Sequence, residues 1–200
     1  MSAKFAHSRD PHGARGPRRT HLGRALVLSA LILTAASQAV YGQASQGLRV
    51  VPLVRDEQVL VSVELRDGFT PEVRAAIQSG LKTTFTYTVD LRIDAPGWID
   101  RTIGSAVVTN SVEYDNLKRK YTVERRLDGR VEDALVIDGE AEVRQWMTNM
   151  RQLRLFPTSL LEGNREYYVR VSASARPSQS SILWPFGSGT SAMAKFTFIR

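Results

Sequence analysis

The sequence predicts an α+β domain, mainly an antiparallel β-sandwich or a curved sheet, that carries two short helices. Apolar and polar residues alternate over several separate stretches, as in antiparallel strands with one buried face and one face in water. Two shorter stretches place apolar residues three and four positions apart, which is typical of a helix with one buried side. The 200 residues are 42% hydrophobic and 24% charged, as in ordinary globular proteins, which excludes intrinsic disorder for the bulk of the chain.

The amino-terminal segment has the features of an export signal. Residues 1–24 carry six basic residues against one acidic residue, and twelve uncharged, mostly apolar residues follow from Ala25 to Ala36. A positively charged segment before an apolar stretch of this length is typical of a signal peptide. We therefore expect export of the chain across the inner membrane to the periplasm.

Two fates are open for this segment. The Gly-Gln-Ala step at residues 42–44 fits the small-x-small pattern of a cleavage site before Ser45. Alternatively, residues 25–41 stay in the membrane as an anchor, with the preceding arginines held inside. In both cases residues 1–44 are a signal peptide or an anchor, and residues 45–200 form a single extracytoplasmic domain.

The exported domain lacks the residue types on which much enzyme and metal chemistry depends. The chain has no cysteine, and its three histidines, His7, His12 and His21, all precede Arg24. Histidine and cysteine nucleophile systems, thiolate zinc sites and disulfides are therefore excluded from residues 45–200. We expect no enzymatic activity, no metal and no cofactor.

The charge of the exported domain argues against nucleic acid as a partner. The whole chain has a net charge of +7, and residues 1–44 contribute 6 − 1 = +5 of it, which leaves 7 − 5 = +2 for residues 45–200. Domains that bind nucleic acid need a concentrated basic surface. We therefore expect no nucleic-acid partner.

Eight segments are predicted as strands from their alternation and their β-branched and aromatic content. The alternation is longest from Phe85 to Ile93, where every second residue is apolar and would face the core. Asp128-Gly129 predicts the tight turn of a hairpin. In chain order the predicted strands are residues 48–54, 59–65, 81–93, 103–112, 121–127, 131–137, 167–173 and 194–198.

Two short helices are predicted between these strands. Thr70 is the expected N-cap of the first helix, Pro71 begins it and Gly80 ends it. Asp138 is the expected N-cap of the second helix, whose acidic first turn suits the positive helix end. An apolar stripe follows along that helix, made of Val143, Trp146, Met147 and Met150.

A turn glycine and several aromatic residues carry a resemblance to a known family. They are Ser-Gly-Leu at residues 79–81 before the long strand, Trp98, residues 117–123, and residues 161–170 ahead of an aromatic carboxyl-terminal strand. Together they resemble the DUF4390 family, uncharacterised bacterial proteins that are exported or membrane-anchored. Members of this family are generally described beside sensor-kinase genes, so the resemblance implies at most an envelope role, and it implies no catalytic residue.

Two groups of residues are candidates for partner contacts. An apolar cluster stands in a Ser-, Pro- and Gly-rich segment and is the candidate protein contact: Ile182, Leu183, Trp184 and Phe186. Basic residues of the predicted hairpin are candidates for an anionic contact and would share the strand face of Glu124: Lys118, Lys120 and Arg126. The structural alternatives are a loop packed on the sheet for the first group and a charged, solvated sheet edge for the second.

These observations favour a binding protein over an enzyme. The leading hypothesis is a non-enzymatic interaction or accessory module of the cell envelope, linked to signalling, which engages an envelope protein through residues 182–186 or a sheet edge. The alternative is a carrier that holds a lipid or another amphiphile against the apolar face of residues 85–93, beside Met147 and Met150. A lipid or membrane surface is a further candidate partner, and the oligomeric state is left open.

Overall fold

The computed structural model describes residues 47–93, 101–177 and 189–199, which form two antiparallel sheets and two helices. The three-stranded sheet has the order β1-β2-β7, and the six-stranded sheet has the order β6-β5-β4-β3-β8-β9. The predicted fold class is confirmed. In chain order the elements are β1 (Leu48–Arg55), β2 (Gln58–Leu65), α1 (Pro71–Gln78), β3 (Thr83–Ile93), β4 (Arg101–Asp115), β5 (Lys120–Leu127), β6 (Arg130–Ile137), α2 (Glu140–Thr148), β7 (Asn149–Pro157), a short 3₁₀ helix (Thr158–Leu160), β8 (Arg165–Pro177) and β9 (Thr190–Phe198).

The two sheets pack against each other through one apolar core. Along β3 every second side chain is buried, and the threonine, aspartate and arginine residues between them are half-buried. Successive side chains of a strand point to opposite faces, so the alternation in the sequence marks the buried face. The same cluster takes in Val59, Val61 and Val63 of β2 and Val143 and Met147 of α2.

Helix α1 has the ends that the sequence predicts. The backbone N–H of Val73 donates to Oγ1 of the N-cap Thr70 at 3.3 Å, and Pro71 is the first helical residue. Gly80 follows the helix with φ +84°, a conformation that an L side chain rarely adopts. Among the described residues, no helix is both long and apolar enough to cross a membrane.

The amino-terminal end of α2 differs from the prediction. Asp138 is not the N-cap, because Gly139 holds that position without a side-chain hydrogen bond. The carboxylate of Asp138 instead lies 3.3 Å from Nζ of Lys120 on β5, so an ion pair with the neighbouring strand competes with capping. Glu140, in the first turn of α2, lies 2.6 Å from Nε of Arg74 and thereby links the two helices.

The predicted second helix extends too far, because its apolar stripe includes Met150. Helix α2 ends at Thr148, and β7 begins at the next residue, so Met150 is buried on a strand. Strand β7 was not predicted because a bulge interrupts its alternation. Gln152 adopts φ +50° there, and its N–H donates to Oγ of Ser62 at 3.0 Å. Because of the extra residue, Met150 and Leu153 lie on the same face of the strand although they are three positions apart, which is also the spacing of a helix face.

The sandwich is closed along one side and open along the other. Strand β1 lies against β9 and β8, which brings the two sheets together there. On the opposite side, β6 and β7 are the end strands of their sheets, and each pairs with one neighbour. Helix α2 connects these two end strands in the chain.

Candidate functional site

A cleft of about 650 Å³ lies at the open side of the sandwich. Strand β6 forms one wall, and α2 with the first residues of β7 forms the other. Its volume is within the range of roughly 300–1,000 Å³ that is typical of ligand sites. The lining residues are Arg125 of β5, Asp133, Leu135, Val136 and Ile137 of β6, Glu142, Gln145 and Trp146 of α2, and Asn149 and Arg151 of β7.

Strand β6 presents to this cleft an apolar sheet edge that no other described strand covers. The first seven residues of the strand are exposed and Ile137 is buried. Residues 134–137 are four consecutive apolar residues, of which Leu135 is 41% and Val136 62% exposed. Proteins usually protect such edges with lysine, proline or a covering element, and residues 134–137 contain neither lysine nor proline. This stretch is therefore suited to pairing with another strand.

Arg125 is held in a fixed position beside the cleft. Its Nε donates to Oδ1 of Asn110 at 2.9 Å, and its Nη2 donates to the backbone oxygen of Trp146 at 3.0 Å. The guanidinium carbon lies 4.5 Å from the centre of the Trp146 ring, within cation–π distance. A guanidinium has five N–H donors, and these two hydrogen bonds use two of them.

The same residues close the carboxyl-terminal end of α2. The hydroxyl of Tyr87 and Nδ2 of Asn110 both donate to the backbone oxygen of Met147, at 2.8 and 3.1 Å. The last carbonyls of a helix lack partners within the helix, and a cation near this end also stabilises the helix dipole. We call Tyr87, Asn110 and Arg125 the polar cluster. It fixes the end of α2 and with it the position of Trp146.

Burial dominates the electrostatics of the polar cluster. It lowers the pKa of the Arg125 guanidinium below its ordinary value, and the negative charge of Asp133 partly offsets this effect. Burial likewise raises the pKa of the Tyr87 hydroxyl, and the charge of Arg125 opposes that shift. At neutral pH Arg125 is therefore a cation and Tyr87 a neutral hydrogen-bond donor.

The cleft is suited to binding an extended segment with apolar and acidic side chains. It combines a strand edge that no described strand covers with the apolar surfaces of Leu135 and Trp146. Its charged lining residues are two arginines, Arg125 and Arg151, which an acidic side chain can pair with, and two carboxylates, Asp133 and Glu142. The described part of the chain contains no group of three or more His, Cys, Asp or Glu residues that could hold a metal ion.

The candidate contact residues from the sequence have different positions. Ile182, Leu183, Trp184 and Phe186 lie outside the described residues. Lys118 lies in the turn between β4 and β5, and Lys120 begins β5. Arg126 is six residues further along β5, roughly 20 Å from Lys120 at the usual rise of a strand.

Each of the three basic residues lies beside a carboxylate. Nζ of Lys118 is 3.5 Å from Asp115, Lys120 pairs with Asp138, and Nε of Arg126 contacts Glu124. The contact with Glu124 agrees with the predicted strand face of Arg126. Because these pairs are exposed, they add little stability. They also neutralise the charges, so the hairpin does not form one strong basic patch.

The sequence patterns did not identify the cleft. Trp146 was expected in the core, and it is half-buried there while its ring also faces Arg125. One signal was present in the sequence: the alternation of the second hairpin strand fails at residues 134–137, where four apolar residues follow one another. Such a run on a hairpin strand predicts that the strand carries apolar side chains on both of its faces.

One family profile matches this chain. The profile described as "Domain of unknown function (DUF4390)" matches residues 47–183, which is more than half of the chain. This span contains both helices, strands β1 to β8 and all residues that line the cleft. No curated protein and no solved structure matches the sequence. The resemblance noted from the sequence is confirmed, and the chain belongs to the DUF4390 family.

Proposed function

We propose that this chain is a non-enzymatic interaction module of the bacterial cell envelope that binds an extended segment of an envelope protein along β6. The observation that carries the proposal is the exposed apolar run 134–137 on an end strand that walls an open cleft. An extended segment that adds to a sheet edge gains affinity from main-chain hydrogen bonds and specificity from side-chain pockets. The link to signalling rests on the family resemblance.

The two end strands of the larger sheet favour β6 as the binding edge. Strand β9 lies against β1, so part of its surface is already covered. Among the strands that the structure describes, β6 pairs only with β5, and it faces the cleft on its inner side. A segment that enters the cleft would meet Leu135 and Trp146 with apolar side chains and Arg125 with an acidic one.

The carrier of a lipid or another amphiphile is the second candidate function and has less support. Its proposed cavity would be lined by the inner face of β3 and by Met147 and Met150. These side chains are at most 7% exposed and belong to one packed cluster. Protein interiors are packed as densely as organic crystals, so a lipid chain would have to displace them.

Peptide selection on the purified protein tests the binding edge. We expect a displayed library of random short peptides to yield extended binders that combine β-branched and acidic residues. The Val136→Lys variant should weaken them by about tenfold or more, because a lysine on an edge strand opposes pairing. The matched control is Met193→Lys on β9, which replaces a residue of 47% exposure on the other end strand and should leave binding unchanged.

Two results would contradict the proposal. One is a selection that yields no binder above the background of an unrelated domain. The other is equal binding by the Val136→Lys variant and the wild type, with both variants unfolding at the wild-type temperature. A fatty-acid-sized excess mass on the natively isolated protein would favour the carrier instead.

Export is tested separately in the producing bacterium. We expect added protease to degrade the domain once the outer membrane is opened and while the inner membrane is intact. The intact mass then distinguishes the two fates of the leader, because cleavage removes residues 1–44 and an anchor retains them. Protection from protease under these conditions would contradict export.

A further inference from the structure

The outer face of the three-stranded sheet carries four arginines. Val50 of β1 and Val63 of β2 are buried on the inner side of this sheet. The residues between the buried ones, on β1 and opposite them on β2, therefore lie on its outer side. Arg154 of β7, which pairs with Leu60, is on the same side, and Arg151 lines a shared groove with Arg49. We call this surface the arginine face; it consists of Arg49, Arg55, Arg151 and Arg154 with Val51 and Leu53.

Positive charge outweighs negative charge on this face. Arg55 lies 3.2 Å from Asp56. Glu64, the cross-strand neighbour of Arg49 on the same face, has its carboxylate 3.2 Å from Nε of Arg66. Within the described ranges, no side-chain hydrogen bond or ion pair engages the guanidinium groups of the remaining arginines of the face, Arg49, Arg151 and Arg154.

Apolar side chains lie between these cations. Val51 is 44% and Leu53 42% exposed, and on this face of β1 they lie side by side between Arg49 and Arg55. A groove of about 290 Å³ lies beside them, lined by Arg49, Val51 and Arg151 among others. The face therefore combines uncompensated guanidinium groups with exposed apolar side chains on one sheet surface.

We propose that the arginine face docks on an anionic phospholipid membrane. Guanidinium groups bind phosphate oxygens in a bidentate geometry, and each basic residue near an anionic membrane raises binding about fivefold. Apolar side chains flanked by cations match the boundary between headgroups and acyl chains. A purely anionic polymer, such as polyglutamate or an acidic sugar, would offer no apolar layer for Val51 and Leu53 to enter, so a membrane fits this face better.

The chain connectivity supports the same partner. Strand β1 is the first element that the structure describes after the amino-terminal segment with its apolar stretch. If residues 25–41 are an anchor, residues 42–47 separate it from β1 and span at most about 20 Å when extended. The arginine face would then begin within reach of the membrane surface. This inference does not depend on binding at β6.

Vesicle sedimentation of the protein that begins at Ser45 tests the proposal. The buried hydrophobic residues of the described chain lie between Leu48 and Ala192, and all but Leu60, Ala76 and Tyr168 belong to one cluster, so this part contains its own core. We expect binding to phosphatidylcholine vesicles that contain about 30% phosphatidylglycerol and weak binding to phosphatidylcholine alone. Binding should be lost in about 1 M salt, where charges are screened beyond roughly 3 Å.

Paired substitutions locate the binding surface. The Arg49→Gln/Arg154→Gln variant should bind the anionic vesicles about 25-fold more weakly, at about fivefold for each charge. The control Arg101→Gln/Arg119→Gln changes the net charge equally at two exposed arginines outside the face and should stay within about twofold. Arg151 is left unchanged because it also lines the cleft. Leu53→Ser should weaken vesicle binding severalfold, since it removes the apolar contact.

Three outcomes would overturn the proposal. They are equal binding to neutral and anionic vesicles, equal losses in the two arginine pairs, and binding to soluble polyglutamate without binding to vesicles. Circular dichroism and the melting temperature of each variant verify folding. Because Arg49 and Arg154 do not line the cleft, a failure here leaves the peptide selection at β6 unaffected.

Discussion

Replacing Asn110 by alanine tests whether the polar cluster fixes the end of α2. Asn110 is fully buried; it accepts a hydrogen bond from Arg125 and donates one to the backbone oxygen of Met147. Loss of a bond to a charged group costs about 1.5–3 kcal/mol, and loss of a neutral one costs about 1 kcal/mol. Tyr87 still donates to Met147, so we expect a loss of about 3 kcal/mol in the free energy of unfolding.

Urea unfolding and a double-mutant cycle measure this effect. For a domain of this size, 3 kcal/mol lowers the melting temperature by about 6–12 °C. Arg125→Met should also destabilise the fold, and the double variant should lose about 1–2 kcal/mol less than the sum of the single variants. Ser105→Ala is the matched control, because it removes an exposed hydrogen bond to Asp90 and should cost under about 0.5 kcal/mol.

Two results would show that the cluster does not stabilise α2. The first is a cost of Asn110→Ala no larger than that of Ser105→Ala. The second is additivity of Asn110→Ala and Arg125→Met within about 0.5 kcal/mol, as found for independent sites. In either case the position of Trp146 would depend on the apolar packing of α2 alone.

Three further predictions concern single positions. Burial raises the pKa of the Tyr87 hydroxyl, so above pH 10 the unfolded chain loses this proton and the folded chain keeps it. The free energy of unfolding should then fall by about 1.4 kcal/mol per pH unit. Urea unfolding at pH 9 to 11 should show a smaller slope for Tyr87→Phe. Glu57 has φ +58° in the β1–β2 turn, a conformation that glycine adopts more readily than other residues. Glu57→Gly should therefore raise the free energy of unfolding by about 1 kcal/mol. An equal gain from Glu57→Ala would assign the effect to the charge of Glu57. A Cβ at Gly104 would lie 2.9 Å from the buried ring of Phe156. Calorimetry of Gly104→Ala should therefore show a free energy of unfolding that is about 1–3 kcal/mol lower. An unchanged melting temperature would mean that the ring moves aside at no cost.

Strands with one buried and one solvated face were predictable from the sequence. In β3 the core takes one face and water the other, so the period of two in the sequence matches the burial in the structure. Helix α1 was predictable because its start and end depend on Thr70, Pro71 and Gly80, which act locally. Strand β7 was not, because the bulge at Gln152 replaces alternation with a three-residue spacing.

The candidate site was less predictable because distant parts of the chain form it. Arg125 and Trp146 are 21 residues apart, and Asn110 and Met147 are 37 apart. No local pattern specifies which strand faces the end of α2. The arginine face was missed for the same reason, since Arg154 joins the sheet face of Arg49 only through the unpredicted β7. The basic residues that are clustered in the sequence, Lys118 and Lys120, lie beside carboxylates instead.

Residue-resolved hydrogen exchange of β6, with and without a selected peptide, tests strand addition most directly. Strand β6 now pairs on one side, so some of its amides are not in a sheet hydrogen bond. If a peptide adds to this edge, amides within residues 134–137 should exchange more slowly in the complex, and those of β9 should be unchanged. Bound peptide with unchanged exchange in β6, or with protection confined to another strand, would contradict binding at this edge.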